Sequence, residues 1–166
     1  MTYDDVAWHT EDDFPADLPP EAAATHIGLF LAWAVLSGHA SDRLLDELAD
    51  DVAALRERAT TGARLVLALD GALTDDALTD VGNAFAAAYY AGGDGDTDGD
   101  PESDDDAGGL YLEDYVDALS PEDGVATDVY RVPDTWDSYD QVAPLIDARF
   151  AQWDEAGRPA VLRHGA

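Results

Sequence analysis

One stretch, Ala24-Thr-His-Ile-Gly-Leu-Phe-Leu-Ala-Trp-Ala-Val-Leu-Ser-Gly38, is the only long apolar run in a chain otherwise dominated by aspartate. Ile27, Phe30, Leu31, Ala34 and Val35 recur at helical spacing on one face, and Leu29, Trp33 and Leu36 fill much of the opposite face. A helix apolar nearly all round belongs inside a core or a bilayer. The continuous run from Ile27 to Leu36 falls well short of the roughly 20 residues a span requires. A buried central helix is therefore expected, and no membrane span. Pro19 and Pro20 are tolerated in a first turn, Glu21 suits the positive end of the dipole, and Gly38 supplies the stop.

The remaining elements are arranged around that helix. Tyr3, Val6 and Trp8 alternate loosely with polar residues and predict a short N-terminal strand or arm. Ser41 caps a second helix running to about Arg58, with Leu44, Leu45, Leu48, Val52 and Leu55 on one stripe. Residues 64–70 are short and apolar, so periodicity does not separate strand from helix, and the reading leans to a helix ended by Asp70-Gly71. Thr74 or Thr79 caps another helix carrying Leu78, Val81, Phe85 and Tyr89. Leu110, Tyr111, Tyr115, Val116 and Leu119 suggest a short one, and Tyr139, Val142, Ile146, Phe150 and Trp153 a last one. Residues 127–132 alternate as a strand able to pair with the N-terminal arm. The expected fold is α+β, mainly α: five or six helices around the buried one, with a small two-stranded sheet. Residues 1–166 read as one domain, with a disordered acidic insertion at about 92–109.

Charge narrows the function classes. The chain holds 29 Asp and 8 Glu against 8 Arg and no Lys, a formal net charge of −29. Eight of the acids lie within residues 94–106, so most of the excess is spread over the rest of the chain. In dilute buffer such self-repulsion opposes compaction, whereas at molar salt the Debye length is about 3 Å and most of it is screened. The pattern is that of a protein adapted to a salt-accumulating, halophilic cytoplasm. Direct nucleic-acid binding is not expected, because no basic patch exists to neutralise phosphates. With no cysteine and no apolar leader at the N-terminus, a cytoplasmic protein is expected.

Few residues carry chemistry on their own. Asp94, Asp96 and Asp98 with Gly99 match the opening of a calcium loop, but Pro101 and Asp105 fall where an aliphatic residue and a bidentate Glu belong. Diffuse attraction of solvent cations is the expectation there, not a specific metal site. His9, His26, His39 and His164 lack the spacing of a zinc motif. His9 and His26 are the catalytic candidates, each needing one of many aspartates to orient it. Trp8 and Trp136 lie outside the clear helical stripes and are candidates for a shared binding surface. No P-loop, nucleophile elbow or dinucleotide fingerprint occurs, and no cofactor is expected.

Several of these pieces together resemble a family of small uncharacterised prokaryotic proteins classed as a domain of unknown function. They are Tyr3-Asp-Asp-Val-Ala-Trp-His9, Phe14-Pro15, Leu18-Pro19, Ala24-Thr-His-Ile-Gly28 with Phe30-Leu-Ala-Trp33, Gly82-Asn83-Ala-Phe85 with Tyr89-Tyr90, Val129-Tyr130, and Asp134-Thr-Trp136 with Tyr139-Asp140. The resemblance implies a common compact domain and brings no activity or catalytic residues with it. The leading expectation for function is a non-enzymatic protein-interaction or immunity-type factor, its acidic surface pairing with a basic protein partner. The alternative is a small hydrolase or metal-dependent enzyme using His9, His26 and nearby Asp. Circular dichroism across a KCl series is expected to show the fold strengthening towards molar salt; full stability in dilute buffer would contradict the halophilic reading.

Overall fold

The computed structural model describes residues 2–10, 14, 16–90, 110–119, 132 and 134–159. Strand β1 (Thr2–Asp5) leads into the one-turn helix α1 (Val6–His9), and a 3-10 turn (Pro20–Ala23) opens α2 (Ala24–Leu36). Next come α3 (Asp42–Glu47), α4 (Ala49–Arg56), α5 (Gly62–Ala68) and strand β2 (Ala72–Thr74). Helix α6 (Asp80–Phe85) runs into a π-helical turn (Ala86–Tyr90), and α7 (Leu110–Leu119) and α8 (Trp136–Glu155) follow. The fold is thus mainly helical α+β. No helix among the described residues is long and apolar enough to cross a membrane.

Helix α2 is the centre. Every residue from Ala24 to Val35 is buried, polar Thr25 and His26 included. Its apolar girth is met on separate sides by α5, α8, the aromatic rings of α6 and the π turn, and Tyr111 of α7. Phe30 stacks near Phe85 at 6.3 Å between ring centroids and meets Tyr111 edge-on at 5.4 Å. Trp33 lies 5.3 Å from Phe85 and donates its indole N–H to Asp147 Oδ1 of α8 at 2.7 Å.

Against α5 the backbones touch without intervening side chains. A Cβ on Gly28 would come 2.2 Å from the Ala63 nitrogen, and one on Gly62 would come 1.8 Å from the Gly28 carbonyl oxygen. Residues 64–70, ambiguous by periodicity, are mostly helix for this reason: Leu65 and Val66 of α5 are buried, with Ala63 beside them, and the element closes against α2. The helix from Ser41 is real but divides at Leu48, where backbone φ and ψ leave the helical region. Ser41, Thr79 and Thr135 each cap with a side-chain oxygen that accepts a backbone N–H.

Among the described residues the N-terminal strand finds its partner in β2. Strand β1 pairs antiparallel with β2, Asp4 opposite Leu73 and Asp5 opposite Ala72, with a register irregularity between Thr2 and Asp4. Asp70 and Gly71, both at positive φ (60° and 80°), turn the chain from α5 into β2, and Val6 donates its N–H to the Gly71 carbonyl at 2.8 Å. Residues 120–131 and the acidic stretch 91–109 lie outside the described residues. The expected strand at 127–132, all but Val132, and the insertion therefore fall there.

Gly28→Ala is expected to cost about 3 kcal/mol, roughly 6–12 °C in Tm, because its Cβ would meet backbone that cannot step aside. Leu145→Ala on the exposed face of α8 serves as the control, with a change within about 0.5 kcal/mol. Equal melting temperatures for the two variants would refute the close-contact account.

Candidate metal centre

The irregular start of β1 and the short α1 bring His9 back onto the carboxylate of Asp4, five residues before it. Asp5 caps α1 by accepting the Ala7 N–H, which turns the chain sharply enough for His9 to fold back over Asp4. His9 Nε2 lies 2.5 Å from Asp4 Oδ1. From α2, His26 Nε2 lies 3.1 Å from Asp4 Oδ2. The two imidazoles meet edge to face with ring centroids 4.7 Å apart. One ligating atom from each of Asp4, His9 and His26 falls within 4.8 Å of the others.

Two more donors complete the carboxylate's surroundings. The Asp5 backbone N–H donates to Oδ1 at 2.9 Å, and the Tyr90 phenol, delivered by the π turn, donates to Oδ2. Among the described residues Asp4 therefore accepts from four groups, which answers the cost of burying its charge. Tyr111 of α7 donates its phenol O–H to the His26 carbonyl oxygen at 2.5 Å. The Tyr115 ring packs 6.2 Å from the His26 ring. The side chains of Asp4 and His26 are 10% and 2% exposed and that of His9 22%, so solvent reaches the group from the His9 side.

Protonation states follow from these contacts. Burial by itself would raise the Asp4 carboxyl, but hydrogen bonds from His26 and His9 outweigh it and hold its pKa well below the usual carboxylate range. Burial pushes the His26 imidazole down, against the partial opposition of Asp4, so the ring is neutral near pH 7. Burial first, then the Asp4 charge, pushes Tyr90 well above the ordinary phenol value, so it remains a donor. An ionised carboxylate with neutral imidazole is the protonation pattern that first-row divalent ions require of their ligands.

Of the residues singled out in the sequence, His9 and His26 come together, and the structure supplies the orienting carboxylate, Asp4. The side chain of Trp8 and the calcium-like Asp94, Asp96 and Asp98 lie outside the described residues. Trp136 stands apart from the triad in its contacts. Its indole N–H donates to the Thr60 carbonyl at 3.1 Å, and the Arg58 guanidinium covers its ring at 4.6 Å. His39 stacks on Trp33 at 5.2 Å and lies 4.8 Å from Phe150, a packing role. Asp4 and Tyr90 fall within the motifs that carry the family resemblance, but sequence reasoning assigned neither a role. Asp4 shares its residue type with 28 others, and only the turn at Asp5 and the pairing with β2 mark it.

A mainly helical frame with one small sheet, set around a carboxylate and two histidines, defines a small α+β domain with a candidate metal centre. The chain belongs to a family described as a domain of unknown function, DUF7832, whose model matches residues 2–132 and so spans Asp4, His9, His26 and Tyr90. No curated protein and no solved structure matches it.

In chelator-treated protein, the stability advantage of wild type over His26→Asn is expected to shrink as pH falls from about 7 to 5. The unfolded chain takes up an imidazole proton near pH 6.5 that the buried folded ring refuses, so folding loses ground at up to about 1.4 kcal/mol per pH unit. Denaturant midpoints that run parallel across that window would contradict a neutral, buried His26.

Proposed function

We propose that this protein binds one divalent transition-metal ion on Asp4, His9 and His26 and uses it for hydrolytic chemistry. The observation that carries the reading is the convergence of three ligating atoms from β1, α1 and α2 within 4.8 Å. Metal–nitrogen and metal–oxygen bonds of about 2.0–2.2 Å place tetrahedral ligands about 3.3 Å apart, and the separations here of 2.5 and 3.1 Å need only a small outward relaxation to admit an ion. Two imidazoles and one carboxylate suit zinc, iron(II) or manganese and leave coordination positions unfilled by protein. An ion so held lowers the pKa of bound water and supplies a nucleophile at neutral pH. The approach lies beside His9, the most exposed of the three. The net charge of −29 favours cation entry and disfavours polyanionic substrates.

The other reading, a non-enzymatic interaction or immunity-type factor of a halophilic cell, is supported by the surface charge. Trp136 adds nothing to it, since its donor and one ring face are already occupied by Thr60 and Arg58.

Elemental analysis of the purified protein, followed by zinc and cobalt(II) titration after chelator treatment, tests the proposal. About one ion per chain is expected, lost in His9→Ala and His26→Ala and retained in His39→Gln. Binding that survives both triad substitutions, or no stoichiometric binding by the wild type, would refute it.

A further inference from the structure

We infer that Tyr90 is a positioning residue of this centre: its phenol reserves one oxygen of Asp4, so that the carboxylate meets an ion through the other oxygen alone. The inference rests on the metal-binding reading above. In the geometry described, Asp4 Oδ2 accepts from His26 Nε2 and from Tyr90, while Oδ1 accepts from His9 Nε2 and the Asp5 N–H. When the imidazole nitrogens turn their lone pairs to an ion, they cease to donate to the carboxylate. Tyr90 on Oδ2 and the Asp5 amide on Oδ1 are then its remaining donors among those described. The phenol thus keeps on Oδ2 a donor brought from a distant element, and Oδ1, whose other donor is the amide of the next residue in the chain, is the oxygen left to the ion.

Tyr90 is held too firmly to follow the carboxylate if it swings. Its ring stacks on Tyr111 at 5.0 Å with 20° between planes and meets Phe30 edge-on at 5.1 Å. Tyr89 and Tyr90 are consecutive on the π-helical turn, so their side chains leave it in different directions and reach different acids, Tyr89 to Asp114 and Tyr90 to Asp4. A single-oxygen carboxylate beside two imidazoles favours compact ions of the zinc and cobalt class. Calcium takes six to eight oxygens and readily uses a carboxylate through both of its own. In a chain with 37 acidic residues, discrimination against abundant hard cations is the property such a centre needs most.

The test compares Tyr90→Phe with Tyr89→Phe by chelator-competition titration of zinc and cobalt(II), direct titration of calcium, and thermal melts of the metal-free proteins. Each variant loses one buried phenol hydrogen bond to an aspartate, but only Tyr90 touches the triad. Expected for Tyr90→Phe are zinc binding weaker by about 10–100-fold, an altered cobalt(II) absorption spectrum and a reduced zinc-over-calcium preference. Tyr89→Phe is expected to melt lower and to bind zinc as the wild type does. Zinc binding and spectrum unchanged in Tyr90→Phe would overturn the inference while leaving the metal centre standing. An equal loss in both variants would also overturn it, by assigning the effect to general loosening. A wild type that binds no ion would remove the metal-binding reading itself, and the inference with it.

Discussion

A helix with no polar side has to be enclosed on every side, and that requirement governs the rest of the molecule. Helix α2 buries all its residues from Ala24 to Val35. Within 166 residues this enclosure is built from short pieces on different flanks. On one flank Gly28 and Gly62 let α5 touch backbone to backbone. Opposing aromatic rings from α6, the π turn and α7 fill another, where larger gaps are spanned by bulk. The polar residues caught in the helix had to find partners inside the core, and His26 found Asp4. The candidate centre is a by-product of enclosure as much as an addition to it.

Much of this frame was legible in the sequence. The central helix declared itself by length and girth, and α8 by Tyr139, Val142, Ile146 and Trp153, all of which point inward. The pairing of β1 with β2 was not legible, because β2 is only three residues long, too few for alternation to declare a strand. The division at Leu48 was hidden by a leucine stripe that continues through it.

The site was half legible. His9 and His26 stood out as rare residues in a chain of common ones. Their meeting depends on a one-turn helix capped by Asp5, which is too short for periodicity to reveal. The carboxylate between them could not be chosen from 29 aspartates by composition, and Tyr90 reads as one more aromatic on a helix until its phenol is seen to donate to Asp4. Where an abundant residue type does the decisive work, sequence shows the capacity for a site and backbone geometry alone shows which copy is used.

The pairing of β1 with β2 also bears on the order in which the chain assembles. Asp4 precedes its strand partner Leu73 and its donors His26 and Tyr90, which follow up to 86 positions later. Until then those partners are not yet made, and the self-repulsion of an aspartate-rich chain opposes compaction. Long-range closure of this kind is slow because loop entropy is lost before any contact compensates it. The segment carrying β1 is thus made before every one of these partners and fastened only after them, and its fastening and the completion of the Asp4 cluster are a single event.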